Sequence, residues 1–216
     1  MSLADTPRDD VTDVHARPLE FPPQAAAAPE PVQLEPLSPA AGPPAPGAVR
    51  PSARFMRGHP AHWVAFGFGS GLSPFAPGTA GTLWAWLAWL VLTQWLTTPA
   101  EQGWVVAIGL AAAWWSSTVT ARHLRIADPS AIVVDEVIAF WIVLWLLLPA
   151  GFWAQLTAFL LFRFFDAVKR GPVGWADRLF HGATGWRGGF GIVLDDLVAA
   201  FCTLLVIALW RAWQIA

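Results

Sequence analysis

The stretch 131-AIVVDEVIAFWIVLWLLLP-149 decides how this chain is read. It is apolar over nearly the length of a helix that crosses the hydrocarbon core of a bilayer, which takes about 20 residues. Yet Asp135 and Glu136 stand side by side near its start. Ionisable side chains within a membrane segment are costly, and they mark function by default. Further on, 192-IVLDDLVAAF-201 repeats 132-IVVDEVIAFW-141, by identity or close similarity over eight positions. A single interfacial acid is ordinary; two matched acidic pairs in matched apolar settings point to a shared task.

The composition around these runs is that of a membrane protein. Of 216 residues 56% are hydrophobic and 13% charged, fifteen are Trp, and the mean hydropathy is +0.49. The polar residues are unevenly spread, because thirteen of nineteen Pro fall within residues 1 to 60. Residues 1–58, including 21-FPPQAAAAPEPVQLEPLSPAAGPPAPGAVRP-51, have few side chains large enough to build a core and are expected to form a disordered cytoplasmic tail. Asp5, Asp9, Asp10 and Asp13 and the lack of an apolar run argue against a cleavable signal peptide there. Cys202 is the only cysteine, so it makes no internal disulfide and is expected to pack as a small core residue.

Residues 59–216 then read as one membrane-embedded domain. The fold class expected is all-α and polytopic, with five apolar helices at roughly 80–98, 103–121, 131–149, 151–166 and 190–210, four or five of them spanning. Pro99, Pro129, Pro149 and Pro172 fall between these segments, where they end helices without interrupting them. With the N-terminus inside, Arg50, Arg54, Arg57, Arg122, Arg125, Lys169, Arg170, Arg178 and Arg187 all lie on the cytoplasmic side, leaving Arg211 outside. This topology puts Asp135, Glu136, Asp166, Asp195 and Asp196 at one depth near the cytoplasmic face. The Trp residues at 95, 104, 145, 153, 210 and 213 mark the opposite interface.

Five carboxylates at one level repel one another unless a cation or shared protons offset their charge. A hard divalent ion such as Mg²⁺ suits them, since it rests on one or two carboxylates and on phosphate oxygens while keeping waters. Successive helical residues point about 100° apart, so one member of each pair is expected to face the site, with Asp135 and Asp195 leading. A second constellation is 66-FGFGSGLSPFAPGTAGT-82, with five Gly and four hydroxyl residues ahead of the first apolar helix. Such a loop leading into a helix start can cradle a phosphate through converging backbone N–H groups. Thr79 is the expected N-cap, and Ser70, Ser73 and Thr82 are candidate donors to phosphate oxygens. No Gly-Lys-Ser/Thr closes the loop, so it is not a P-loop.

The third constellation is the loop 162-FRFFDAVKRGPVGWADRLFHGATGWRGGFG-191. Arg163 lies one turn before Asp166 and can meet it on one helix face. Lys169, Arg170 and Arg178 supply cations suited to a phosphorylated ligand. His181 is placed to protonate a leaving oxygen or orient water, although a lone loop histidine is more often plain polar surface.

At these residues the chain resembles the phosphatidylglycerophosphatase A family, Mg²⁺-dependent lipid phosphatases of the bacterial inner membrane. The resemblance spans roughly residues 62 to 205. It rests on three blocks in order: GFGSGLSPFAPGTAGT, the IVVDEVIAFW run after Asp128, and FRFFDAVKRGPVGWADRLFHG followed by IVLDDLVAAF. It implies hydrolysis of the terminal phosphate of phosphatidylglycerophosphate, giving phosphatidylglycerol and phosphate. By position, Asp135, Glu136, Asp166, Asp195 and Asp196 become the acidic set around Mg²⁺, with His181 joining the catalytic group. Gly69, Ser70, Gly71, Ser73, Pro77, Gly78, Thr79, Lys169 and Arg178 become substrate-binding candidates, and Asp177 matches the loop motif. Two departures stand out: Arg170 replaces the Pro expected after the Lys, and 183-ATGWRGGFG-191 lengthens the connection that follows His181. The implied partners are a bilayer phospholipid and the membrane itself, with no nucleic acid. The rival reading is an ion- or proton-coupled transporter lined by the paired carboxylates.

Overall fold

The computed structural model describes residues 47–168 and 171–215, and every regular element among them is helical. Two short helices, α1 (Ala53–Met56) and α2 (Pro60–Ala65), lead into a 3₁₀ segment at Gly67–Leu72. Then come α3 (Pro77–Leu92), α4 (Pro99–Leu124), α5 (Val134–Leu147), α6 (Phe152–Val168), α7 (Pro172–Leu179) and α8 (Gly185–Ile215). Each of the five apolar segments read from the sequence contributes one of the longer helices. Most of the leader expected to be a solvated tail, residues 1–46, lies outside the described residues. Its last part is ordered: Ser52 caps α1 by accepting from the Phe55 N–H at 3.2 Å, and Met56 is buried.

The boundaries follow from local chemistry. At the start of α4, Thr98 and Glu101 form a capping box, and Pro99 sits at the first helical position, where its missing N–H costs nothing. The same helix ends at Arg125 in the left-handed conformation, with Arg122 and His123 beside its last carbonyls. At α3 the expected cap is displaced. The N-cap is Ala76, at φ 44°, and Pro77 opens the helix, so Thr79 lies inside the first turn and does not cap it. Proline decides this, because its fixed φ suits the first helical position and, having no N–H, it needs no acceptor there.

Among the described residues two helices, α4 and α8, with 26 and 31 residues, are long and apolar enough to cross a membrane. That is fewer than the four or five expected. The apolar run 131–149 shows why: only Val134–Leu147 is helical. Its first residues are drawn into loop bonding, Ile132 N–H to Pro129 O and Val133 N–H to Ala65 O, both at 2.9 Å. Hydropathy counts apolar residues, whereas a span counts helical turns.

Helix α5 is the axis of the bundle, packed against α3, α4, α6 and α8. Val134, Ile138, Phe140, Val143, Leu144 and Leu147 are buried on it. The outer surface is apolar over several helices, with Leu87, Ile108, Leu160, Phe164, Leu205 and Leu209 all exposed. Surface of this kind far exceeds the scattered apolar residues of a water-soluble monomer, and it fits association with a membrane. Trp95, Trp104, Trp153, Trp210 and Trp213 are likewise exposed, as interfacial indoles are.

Near α2 a buried histidine ties the leader to α4. His62 Nδ1 donates to Phe55 O at 2.9 Å, which leaves Nε2 to accept from His123 Nδ1 at 2.9 Å when His62 is neutral. His59 stands 5.4 Å and 5.5 Å from those two rings, and its Nδ1 accepts from the Ala61 N–H.

Candidate active site

The predicted acids come from three helices and meet. Asp135 and Glu136 lie in the first turn of α5, Asp166 near the end of α6, and Asp195 and Asp196 on α8. Each of these aspartates is at most 8% exposed. Asp135 lies within electrostatic reach of Glu136 and Asp195, Glu136 of Asp166 and Asp195, and Asp196 of all the other four. Both members of each pair therefore belong to the cluster, where the helical spacing had pointed to one.

Arg163 organises the cluster. Its Nη1 donates to Glu136 Oε1 at 3.1 Å and forms a short ion pair with Asp166 Oδ2, so one guanidinium bridges α5 and α6. The sequence reading joined Arg163 to Asp166 by the one-turn spacing, and it missed Glu136, which no local spacing connects. Thr82 of α3 stands 3.4 Å from the same nitrogen. The remaining oxygens differ: Asp135 Oδ1 and Glu136 Oε2 are buried without a hydrogen-bond partner. Neither Arg122 nor Arg125 forms an ion pair among the described residues.

Buried carboxylate oxygens with open lone pairs are the donors a hard cation takes, so the residues present fit Mg²⁺ by chemistry. Among the described residues no three of these groups close on a common ligand centre. An ion bound here would therefore have at most one or two of these carboxylates as ligands, its other positions falling to waters or ligand oxygens.

The Gly-rich loop divides into two parts with different tasks. Its second part reaches the carboxylates: a Cβ built on Gly78 would stand 2.0 Å from Glu136 Oε1 and 3.0 Å from Arg163 Nη2. Only a residue without a side chain lets the start of α3 come so near. That start carries no side-chain cap, which leaves backbone donors available there. The first part is structural. Gly71 packs on the Ala131 carbonyl so closely that a Cβ would lie 2.1 Å from it, and Gly69 takes φ +107° beside Met56. The hydroxyl protons of Ser70, Ser73 and Thr82 are donated to the carbonyls of Gly67, Phe75 and Gly78. They are thereby engaged by the backbone, in place of the phosphate contacts expected of them.

A cleft of about 280 Å³ adjoins the cluster through Asp195 and is lined also by Asp128, Asp177, Phe180 and His181. His181 is exposed on this cleft. Arg178 is exposed on α7 but does not line it, and Lys169 and Arg170 lie outside the described residues. The sequence reading had not counted Asp128 among the site residues, although its charge reaches Asp135. An acid in the loop just ahead of the Asp135–Glu136 pair was the available signal. The lengthened connection after His181 is resolved simply: from Gly185 onward it is the first turns of α8, continuous with the helix that bears Asp195 and Asp196.

Comparisons with known proteins give the family of the chain. The model of the phosphatidylglycerophosphatase A family matches residues 63–211. The Escherichia coli protein named phosphatidylglycerophosphatase A is 38% identical over 150 residues, covering 68% of this chain and 81% of its own length. The Haemophilus influenzae protein of the same name is 33% identical over 158 residues, covering 73% and 92%. A Bacteroides thetaiotaomicron protein, provisionally named a phosphatidylinositol-3-phosphatase, is 38% identical over 161 residues, covering 70% and 93%. No solved structure matches the chain. On the family match and these identities, the chain belongs to the phosphatidylglycerophosphatase A family.

Proposed function

We propose that this chain is a phosphatidylglycerophosphatase that works with Mg²⁺ at the cytoplasmic surface of a bacterial inner membrane. It removes the terminal phosphate of phosphatidylglycerophosphate as a step of phospholipid synthesis. The observation that carries the reading is the convergence of five carboxylates from α5, α6 and α8 beside the uncapped start of α3. Family membership supplies the substrate class.

Asp135 and Glu136 would hold the cation, with Asp166, Asp195 and Asp196 completing the acidic set. When bound, Mg²⁺ supplies positive charge to the phosphate oxygens and neutralises the carboxylates around it. The backbone N–H groups at the start of α3 hold the phosphoryl oxygens, with Lys169 and Arg178 as further cationic candidates. A carboxylate, Asp166 or Asp196, orients the attacking water and takes its proton. The new P–O bond forms as the bond to the glycerol oxygen breaks, and His181 or water returns a proton to that oxygen. A covalent aspartyl phosphate is the alternative route for the same residues. Arg163 fixes Glu136 and Asp166 in place and belongs to the support of the site.

The topology that goes with this reading has four or five membrane passes and the acidic cluster inside. Basic residues gather on the side of Arg122, Arg125, Arg178 and Arg187, and the exposed Trp95, Trp104, Trp153, Trp210 and Trp213 on the other, while Trp175 and Trp186 are exposed on the basic side. An ion carrier would string its acids across the membrane; here they gather in one cluster, and the relatives are named as phosphatases.

The test is phosphate release from phosphatidylglycerophosphate by purified protein, with and without Mg²⁺, run in parallel with phosphatidylinositol 3-phosphate because one relative bears that name. The expected outcome is Mg²⁺-dependent release, lost in Asp135→Asn while that variant stays folded and inserted. Turnover kept by Asp135→Asn would remove that residue from the mechanism; failure to release phosphate from any lipid would remove the reading.

A further inference from the structure

Beside α5 runs a groove of about 540 Å³, walled by α3, α4 and α5 and bordered at one end by the 3₁₀ segment. Every residue lining it is apolar or glycine. Trp84, Ala88 and Val91 bring one face of α3, Ala112 a small residue from α4, and Val137 with Ile138 the opposing face of α5. From Trp84 to Leu92 the α3 wall is about 12 Å long at the helical rise. The volume lies within the range of about 300–1,000 Å³ found for small-molecule sites.

Resting on the function proposed above, we propose that this groove holds one acyl chain of the diacyl phospholipid whose phosphate is cleaved at the carboxylates. Three features support that occupant. The lining offers no polar side chain to a headgroup, whereas a hydrocarbon chain needs none. The groove follows the axis of α3, so a chain lying in it runs lengthwise beside the helices, as bilayer chains do.

The third feature is continuity with the site. Val134 and Val137 line the groove from the turn of α5 that carries Asp135 and Glu136 on another of its faces. Val133 and Gly81 stand between the groove's rim and Glu136: a Cβ on Gly67 would stand 2.9 Å from Val133 Cγ2 and 3.7 Å from Trp84, and one on Gly81 would stand 2.7 Å from Val133 Cβ and 3.0 Å from Glu136 Oε2. A lipid with its phosphate at the start of α3 therefore reaches the groove past Val133 and Gly81, farther along the same helix. At the mouth, Phe68 is held in the left-handed region at φ 55° and is 63% exposed, its ring centroid 6.3 Å from that of Trp84. Such backbone strain in a side-chain-bearing residue is typical of ligand clamps.

The test is to plug the groove. Ala88→Trp and Ala112→Trp put indole into it from opposite walls, and Ala111→Trp, exposed and turned about 100° away on α4, is the control. Against dipalmitoyl phosphatidylglycerophosphate in mixed micelles, the plugs are expected to lower kcat/KM about tenfold or more, mainly through KM. Against the water-soluble dihexanoyl substrate they should change it less than about twofold. The control should match the parent on both.

Plugs that slow both substrates equally, or neither, would overturn the proposal. A readout free of turnover accompanies this. Phosphatidylglycerol bearing a diazirine in one acyl chain is expected to label the groove walls on α3 and α5 in the parent and in Ala111→Trp, but not in the plugged variants. Labelling that ignores the plugs would mean bulk lipid washing an outer surface, and would sink the proposal. A cross-link to a second copy would do the same. If no lipid phosphate is released but plug-sensitive labelling persists, the enzymatic reading fails while the chain-binding groove stands.

Discussion

Replacing Gly78 by alanine should stop catalysis while sparing the fold. In a helix the exchange is worth up to about 1 kcal/mol in favour of alanine by intrinsic propensity. The added methyl, however, arrives 2.0 Å from Glu136 Oε1, 2.8 Å from its Cδ and 3.0 Å from Arg163 Nη2. Real Cβ contacts do not come under 3.0 Å, so the carboxylate has to retreat by about 1 Å, a displacement that costs about a hundredfold in rate when it reaches reacting groups. The retreat also breaks the 3.1 Å bond to Arg163. Overpacking costs about 1–3 kcal/mol, part of which the propensity gain offsets, so the variant should remain folded in detergent. The assay is phosphate release against Mg²⁺ concentration, beside a thermal melt. The expected result is kcat/KM down about a hundredfold with a melting temperature near the parent's. Adding Glu136→Asp, which shortens the crowded side chain by one methylene, should return part of the activity. If Gly78→Ala keeps more than about half the parental kcat/KM with unchanged Mg²⁺ dependence, then the position of Glu136 does not matter to the reaction, and the metal assignment built on it falls.

Two further expectations concern stability. Arg163→Met leaves Glu136 and Asp166, whose side chains are 13% and 11% exposed, without the guanidinium that bridges them. Breaking a buried pair in this way costs about 3 kcal/mol, which should lower the melting temperature by several degrees, with added Mg²⁺ restoring part of the loss; an unchanged melt would refute the bridging role. One pH dependence of stability resides at His62. Burial lowers its pKa below the usual 6.5; the bond to Phe55 O opposes this, and His123 and His59 add smaller downward pushes. The unfolded chain therefore binds this proton more readily than the folded one. The His62 contribution should be complete above pH 6.5 and should fade as pH falls towards the lowered value. Melting temperatures of the parent and His62→Gln across that range should show a shallower acid-side slope in the variant; equal slopes would deny His62 this role.

Much of the site was legible because its chemistry is locally written. The acidic pairs at Asp135–Glu136 and Asp195–Asp196 contradict their apolar surroundings, and the Gly-rich run before α3 announces a close approach of backbone. The depth argument from Lys and Arg in the loops also brought the five acids to one level. What failed were inferences that treated a run of residues as an element. Hydropathy counted 131–133 into a helix, whereas their backbone bonds to the Pro129 turn and to α2. Cap propensity chose Thr79, and Pro77 took the start of the helix instead. The hydroxyls of Ser70, Ser73 and Thr82 looked free in the sequence, but each has a carbonyl within reach once the loop is folded.

The sequence by itself determined that the chain is helical and apolar, that its unusual charges are carboxylates, and which family it resembles. Those properties depend on residue type and on short periods along the chain. Only the tertiary structure decided that Arg163 joins Glu136 to Asp166, that Gly78 is the residue yielding space to Glu136, and that α3, α4 and α5 wall an apolar groove. Each of those relations links helices distant in sequence, through side-chain contacts that no spacing along a single helix can encode. The physical reason is that a helix's own repeat fixes which of its residues share a face, while the packing of several helices fixes what that face meets.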